Sequence, residues 1–507
     1  MKSVKKICIV GGGTAGWITA VILRGILERN WLNHQKFEYY VVESPDNPII
    51  GVGEGSTGLL VDIIKNYPNF GCNEQDFIRK TGAGIKVGIR HIGWSNYKDE
   101  YFGGLDLPPV GDIFPNHLDY YSAMDIAKTD STDNIRLNVN LFKNNKVPFI
   151  EDNGTLKTIS SGYSYHFDAY RVGEYLKEVA TSKGVIHISN TVDKVVKNNN
   201  EISKLLFADG TDLEADFFID ASGFKRVLLN EFDNEWISYS DYNLVNTGLI
   251  FRREQDVMQN YTQAHAQEHG WIFSIPTQHK IGNGYMFNRD ITNVSDIESK
   301  IKELYPDSEI LKEVKFNSGR YKNSWVSNVC GIGLAYSFSE PLEATSIHCT
   351  IVQAMMLADY IGEEMSLDKS IQRRYNERVG RLLDDCAEFI NIHYKGNRSD
   401  STFWKEASSE STSFDNTKHR LELWKHKFPD TNDFDINFGS FGPSLYLPVL
   451  NGIGLITPKD GEQVIKHYDL EEIALARYNE LKDKAYNITK QCISHKQFIK
   501  GCINENY

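Results

Sequence analysis

At 507 residues, with 41% hydrophobic and 24% charged side chains, the chain has the make-up of a globular enzyme of about two to four domains. A net charge of −13 argues against nucleic acid or anionic lipid as the main partner, and no apolar run approaches the roughly 18 residues of a membrane span. Seven scattered cysteines without a C-x-x-C pair predict reduced thiols, no structural metal and a cytoplasmic setting.

The chain starts MKSVKKICIVGGG, with lysines ahead of an apolar run. That run is only four residues long, too short for a signal peptide, so 5–10 reads as a strand. Residues 15–31 read as a helix, with Ile18, Val21, Ile22, Leu23, Ile26 and Leu27 apolar, and 38–43 (EYYVVE) as the next strand. This βαβ order predicts a parallel sheet with a right-handed crossover. Between strand and helix, Gly11-Gly12-Gly13-Thr14-Ala15-Gly16 matches G-x-G-x-x-G. Gly11, Gly13 and Gly16 would permit the tight turn and the close approach of a pyrophosphate, and the amides at Thr14 and Ala15 would meet its charge. Glu43, ending the second strand, is placed to bind ribose hydroxyls.

The stretch AGIKVGIRHIGW (83–94) alternates as a strand: Ile85, Val87 and Ile89 share one face, and Lys86, Gly88 and Arg90 the other. Taken alone, a strand lysine is a solvated residue. Downstream, KLLFADGTDLEADFFIDASG reads as a hairpin, then a strand ending in a glycine turn. FIDASG (218–223), with Asp220, sits where two-domain flavoproteins return to the nucleotide site, which favours FAD over NAD; a single G-x-G-x-x-G leaves no separate nicotinamide domain. Residues 344–390 read as helical. Beyond about 391 the chain turns polar and irregular, then aromatic and glycine-rich, and is helical again from about 461. The division expected is 1–390, a nucleotide-binding domain with interleaved substrate segments, and 391–507, a mainly helical substrate-side module.

Eight segments together carry a family resemblance: GGGTAGW (11–17), GVGEGS (51–56), HFDA (166–169), ADFFIDASG (215–223), GWIFSIP (270–276), GNGYMF (282–287), GRYKNSWVSN (319–328) and GIGLAYSFSEPLEATS (331–346). They resemble the flavin-dependent halogenases of the tryptophan-halogenase type. The resemblance implies an α/β, FAD-binding Rossmann-like fold. FAD, reduced to FADH2 by a separate reductase, would be the cofactor, with halide and O2 as co-substrates and a small aromatic molecule as acceptor. Gly53 and Gly333 join the implied cofactor contacts. Lys86 falls at the family's catalytic lysine and Glu343 at its catalytic glutamate. Thr345 and Ser346 fall at its halide contacts, and a helix start there suits an anion. The family's W-x-W-x-I-P motif reads Trp271, Phe273, Ile275 and Pro276, with phenylalanine for the second tryptophan. Neither nucleic acid nor membrane is expected as a partner, and a homo-oligomer is compatible.

The substrate clamp of tryptophan-specific members is altered. Gly103 and Leu105 stand at its His and Phe positions, Phe434 at its glutamate and Gly439 at its tryptophan. Free tryptophan is therefore not the expected substrate, and Gly88 beside Lys86 reads as clearance for a substrate ring. An aromatic hydroxylase is the alternative enzyme, though GIGLAY lacks that class's Gly-Asp pair. A non-catalytic flavin-binding protein is the other alternative, against which retained Lys86 and Glu343 weigh. Chloride, bromide and iodide all remain open.

Overall fold

A computed structural model describes residues 4–28, 37–46, 53–106, 119–160, 162–255, 257–364, 368–434 and 441–503. The chain forms two compact units, each drawn from three stretches: 1–83, 167–238 and 317–383 in the first, and 84–166, 239–316 and 384–507 in the second. The boundary expected near 391 therefore falls within the last stretch of the second unit.

The first unit is built on a six-stranded sheet in the order 186–189, 38–43, 6–10, 217–220, 329–331, 325–326. The first five strands are parallel and the last turns back antiparallel. Lys6–Val10 (KICIV) and Phe217–Asp220 (FFID) are almost wholly apolar because a central parallel strand is covered on both faces. Thr14–Leu27 follows the first strand and packs against the helices Ala169–Ser182 and Thr345–Glu364, which is why eleven of its fourteen residues are buried. The expected strand 38–43 is observed as read; the expected helix 15–31 is observed over Thr14–Leu27, and its last residues lie outside those described.

The second unit carries a seven-stranded sheet ordered 309–315, 247–253, 281–287, 270–276, 262–267, 88–92, 100–104, antiparallel except between 262–267 and 88–92. Val294–Leu304 closes one face of it. Leu249, Phe251, Ile272, Tyr285, Phe287, Ile297 and Ile301 form that core, each side chain contributing about 1.5–3 kcal/mol by burial. The region after 391 is more helical than its polar composition suggests, with helices at 402–407, 415–423, 443–452, 458–467, 471–491 and 495–503. Tertiary packing holds these in place of propensity: a Cβ on Gly461 would lie 2.5 Å from Ala123 O, so that helix crosses Tyr120–Thr129 closer than any other residue would permit.

The single strand expected over 85–90 is two. Gly84–Lys86 pairs with 164–168, and Gly88–Ile92 joins the large sheet. The break lies at Val87, whose amide donates to Asn260 O (2.8 Å) and whose carbonyl accepts from Leu105 N (3.0 Å) and Asn138 Nδ2 (2.7 Å). Long-range partners claim the backbone there, and alternation of side chains gives no sign of it.

Candidate active site

In the first unit the glycines meet close contacts that any other residue would block. Gly11 has φ +124°, and a Cβ there would lie 2.2 Å from Ala221 O; one on Gly16 would lie 1.8 Å from Gly11 O. Gly13 differs: it caps Thr14–Leu27 without any side-chain hydrogen bond, and a Cβ on it would meet nothing within 4 Å. The helix N-terminus is thus left open at the carboxyl ends of the parallel strands, where open α/β sheets bind nucleotides. Gly333 (φ +61°) closes another side: its amide donates to Gln353 Oε1 (3.2 Å), and its missing Cβ makes room for Ala15. Thr14 is buried, its hydroxyl 3.3 Å from Ala169 O. These residues fit a dinucleotide such as FAD.

The two acidic residues expected at this site are both engaged. Glu43 abuts Gly12 and is held by Lys177 (3.2 Å) and His187 (2.9 Å). Asp220 is fully buried and accepts from Ser222 N (3.0 Å), Ser222 Oγ (2.5 Å), Leu228 N (2.7 Å) and Leu229 N (2.8 Å). Both its oxygens are spent on the loop 222–229, so it shapes the glycine turn from behind. Burial pushes its carboxyl above the usual range. Gly53 opens the short strand Gly53–Gly55. Its neighbour Glu54, absent from the expected residues, is raised to about 7, by burial first and then by the charge of Asp168.

The helix Thr345–Glu364 starts one residue after Ala344, a non-glycine residue in the left-handed region at φ +55°. Glu343 precedes that turn, and Thr345 and Ser346 open the helix, whose first turn holds no acidic residue. His348, also unforeseen, shares a hydrogen bond of 3.0 Å with Thr57 Oγ1, and burial lowers it to about 4. A neutral imidazole in that turn leaves the helix amides as the positive end.

In the second unit Lys86 has no exposed surface at all. It ends Gly84–Lys86, opposite Ser164. Trp94, which closes the same motif, donates its indole N–H to Ala264 O (2.9 Å) and stands 5.9 Å from Trp271 and 5.6 Å from Trp404, ring centre to centre. Trp271, Phe273, Ile275 and Pro276 lie on one central strand, all buried, and Gly284 opposite Phe273 makes room for its ring. The lysine motif and the tryptophan-proline strand thus share an aromatic cluster.

Gly88 overturns the expectation of clearance for a substrate: a Cβ there would lie 2.4 Å from Gly103 O and 2.5 Å from Phe102 Cζ, so the neighbouring strand fills that place. The opening is at Gly103 instead, where the nearest atoms to a Cβ are Ile89 O at 3.9 Å and His91 Cε1 at 4.0 Å. Leu105 donates its amide to Val87 O. Phe434 packs against Trp424 and Tyr446, with the Arg420 guanidinium 4.9 Å from its ring, and so belongs to the helical core; Gly439 lies outside the described residues.

An open helix N-terminus over a parallel sheet, glycines where a pyrophosphate approaches, and a second unit holding a buried lysine define an enzyme of the FAD-binding α/β class. The tryptophan halogenase family model matches residues 6–469, and the chain belongs to that family. It is 26% identical to tryptophan 7-halogenase RebH of Lentzea aerocolonigenes, over 98% of each chain, and 27% identical to tryptophan 6-halogenase ThaL of Streptomyces albogriseolus, over 89% of this chain and 90% of that one. The solved structure of Tar14, a tryptophan C-6 flavin-dependent halogenase from taromycin biosynthesis, matches with TM-score 0.87 at 28% identity, covering 98% of this chain and 99% of the other. A tryptophan halogenase from Shewanella frigidimarina NCIMB 400 matches in fold with TM-score 0.88 at 24% identity, covering 100% and 99%. Among the described residues no helix is long and apolar enough to cross a membrane.

Proposed function

We propose that this protein is a flavin-dependent halogenase that transfers halogen to an electron-rich aromatic substrate other than free tryptophan. Reduced FAD, delivered by a separate reductase, would supply two electrons which, with O2, a halide ion and a proton, give hypohalous acid and water. The amides of Thr14 and Ala15 would bind the cofactor's pyrophosphate beside bare Gly13, with Gly11, Gly16 and Gly333 allowing the close backbone packing of that turn and Gly53 contributing a further contact. Glu43, whose contacts with Lys177 and His187 both fall on Oε2, would offer Oε1 to a ribose hydroxyl, and Asp220 would support the turn. Thr345 and Ser346 hold the halide at a helix start.

Lys86 presents the amine. It either hydrogen-bonds hypohalous acid or condenses with it to a haloamine and water. The ring carbon would then take the halogen as its bond to nitrogen or oxygen breaks, and Glu343 would accept the ring proton and pass it to the departing nitrogen or hydroxide, which regenerates the amine or gives water. Trp271, Phe273, Ile275 and Pro276 form the wall that keeps substrate from the flavin. Full burial of Lys86 carries this reading, because an amine removed from water can direct an electrophile that bulk water would disperse. The opening at Gly103 and the core position of Phe434 support an acceptor that is larger than tryptophan or less tightly held, such as a phenol or substituted indole.

The test supplies FAD, a reductase, NADH, O2 and each halide in turn with a panel of phenols and indoles, and reads products by mass spectrometry. Incorporated halogen that disappears in Lys86→Ala, while reduced flavin is still consumed, is the expected result. Incorporated oxygen would make the enzyme a hydroxylase, and a protein that binds no flavin would be neither.

A further inference from the structure

Lys86 is anchored through both of its sequence neighbours. On one side the Val87 amide donates to Asn260 O. On the other, the Ile85 amide donates to Nε2 of His495, 3.0 Å away and 410 residues later in the chain. The register Gly84↔His166, Lys86↔Ser164 points the side chains of Lys86 and His166 to the same face of the strand pair, with bare Gly84 between them. A Cβ built on Gly84 would lie 2.0 Å from Met258 Cε, 3.0 Å from His495 Nε2 and 3.1 Å from its Cε1. The Met258 methyl therefore fills the space that the missing side chain leaves, and the imidazole of His495 lies along its edge. Lys86, His166 and His495 gather three nitrogen bases on one face, each no more than 1% exposed.

The hydrogen bonds define the state of these rings. An amide can only donate, so His495 Nε2 accepts, and the ring's proton sits on Nδ1, on the side of the Met258 backbone. Burial agrees, holding His495 at about 4; His166, bonded to Thr262 Oγ1 (2.8 Å), is lowered by burial and then by the charge of Lys86. His495 is itself held firmly. It is the first residue of His495–Ile503, and its amide donates to Asn145 O (3.0 Å). Ile493 exchanges backbone bonds with Phe149 and Val147, Ser494 and Gln497 cap each other, and Phe498 packs on Phe149 at 4.4 Å.

We infer that His495 is a positioning residue for Lys86: lying against Gly84 beside the Met258 methyl, its imidazole anchors the amine-bearing strand through the Ile85 amide and sets the direction in which Lys86 projects. Its placing of the strand is independent of the reaction; its effect on halogen transfer rests on the reading of Lys86 above. The C-terminal helix is then part of the active-site scaffold, although no residue of it touches a reacting atom.

The test compares His495→Phe, which keeps a ring but no acceptor, with His495→Gln, whose side-chain oxygen can reach the same amide. Hydrogen exchange of the peptide covering 84–88 is expected to quicken roughly tenfold in His495→Phe, since a buried amide loses its acceptor, and to recover in His495→Gln. Halogenated product per flavin oxidised should fall between about tenfold and a hundredfold in His495→Phe, the cost of a misplaced group, with flavin binding unchanged, and most of it should return in His495→Gln. Gly84→Ala, whose Cβ would displace the Met258 methyl at 2.0 Å and press on the ring at 3.0 Å, should move both readouts the same way when set against Met258→Ala, which removes the methyl alone, and serves if His495→Phe does not fold. Unchanged exchange at 84–88 in His495→Phe, or equal impairment of the Phe and Gln variants, overturns the inference. If exchange responds as stated but the wild-type enzyme incorporates no halogen, the anchoring stands and the halogenase reading falls.

Discussion

The two units manage their polar groups in opposite ways. The first leaves donors open: Gly13 caps its helix with no side chain, and Thr345 begins another helix with no acidic residue in its first turn. The second closes its bases in: Lys86, His166 and His495 are buried, and the imidazoles are bonded to a backbone amide and a hydroxyl. Open amides suit anions that come and go, such as phosphate and halide. Enclosed bases suit a group that must meet an electrophile away from water. On the proposed reading, cofactor and halide binding would draw mainly on the first kind of local structure and the halogen-carrying amine on the second, with Glu343 of the first unit serving the transfer.

The largest expected effect tests that division directly. Lys86→Ala should lower halogen incorporation by roughly 10²–10⁴-fold, the usual span for a positioned acid–base or nucleophilic group, while the flavin absorbance of the purified protein stays as in wild type. Loss of bound flavin in that variant would show that the units do not divide the work. In the first unit the matching change is Gly16→Ala, whose Cβ would fall 1.8 Å from Gly11 O. Backbone must move, at a cost of about 1–3 kcal/mol, and flavin titration should show weakened binding even with a competent Lys86. Asp220→Asn, which leaves acceptors for only part of the 222–229 loop, should cost about 1–3 kcal/mol in thermal unfolding.

Acidification probes both units together. His348 and His495 titrate at about 4 when folded, below the usual 6.5 for histidine. The unfolded chain therefore binds protons that the native one refuses between those values, so their stabilisation is complete above pH 6.5 and lost as pH falls toward 4. Glu54 and Glu388, raised to about 7, work in the other direction, losing stabilisation as pH rises through that value. The measurement is accordingly a difference: melting temperature from pH 7 to 4 should fall less steeply in His348→Gln and His495→Gln than in wild type. Equal slopes would mean that neither ring is held neutral. The smallest effect is on selectivity. Gly103→Leu, whose Cβ would meet only ordinary contacts with Ile89 O at 3.9 Å and His91 Cε1 at 4.0 Å, should leave small phenols as substrates and slow the bulkier indoles by about tenfold, read from competition by mass spectrometry, whereas Gly88→Ala should damage folding instead.

Local patterns made some of this legible. The strand–glycine–helix–strand order of 6–43 could be read because each element is fixed by neighbours a few residues away, and the turn needs glycine whatever surrounds it. The alternation at 85–90 found a strand at Lys86 but not its full burial, which Ile85 and Val87 share. It missed the break at Val87, because Asn260, Leu105 and Asn138 make that break from far along the chain. Gly88 was misread for the same reason: a glycine reports room, and only the partner strand shows that Phe102 already fills it.

By itself, then, the sequence determined the Rossmann-like strand–glycine–helix–strand start of the first unit and singled out Lys86 as the candidate amine, since both rest on short-range geometry and on motifs read in place. The tertiary structure alone decided that the amine is buried, that Asp220 holds a loop instead of facing a ligand, and that a histidine 410 residues from Ile85 anchors the strand beside Lys86. Burial and long-range hydrogen bonds depend on which segments the fold brings side by side, and no local period carries that information.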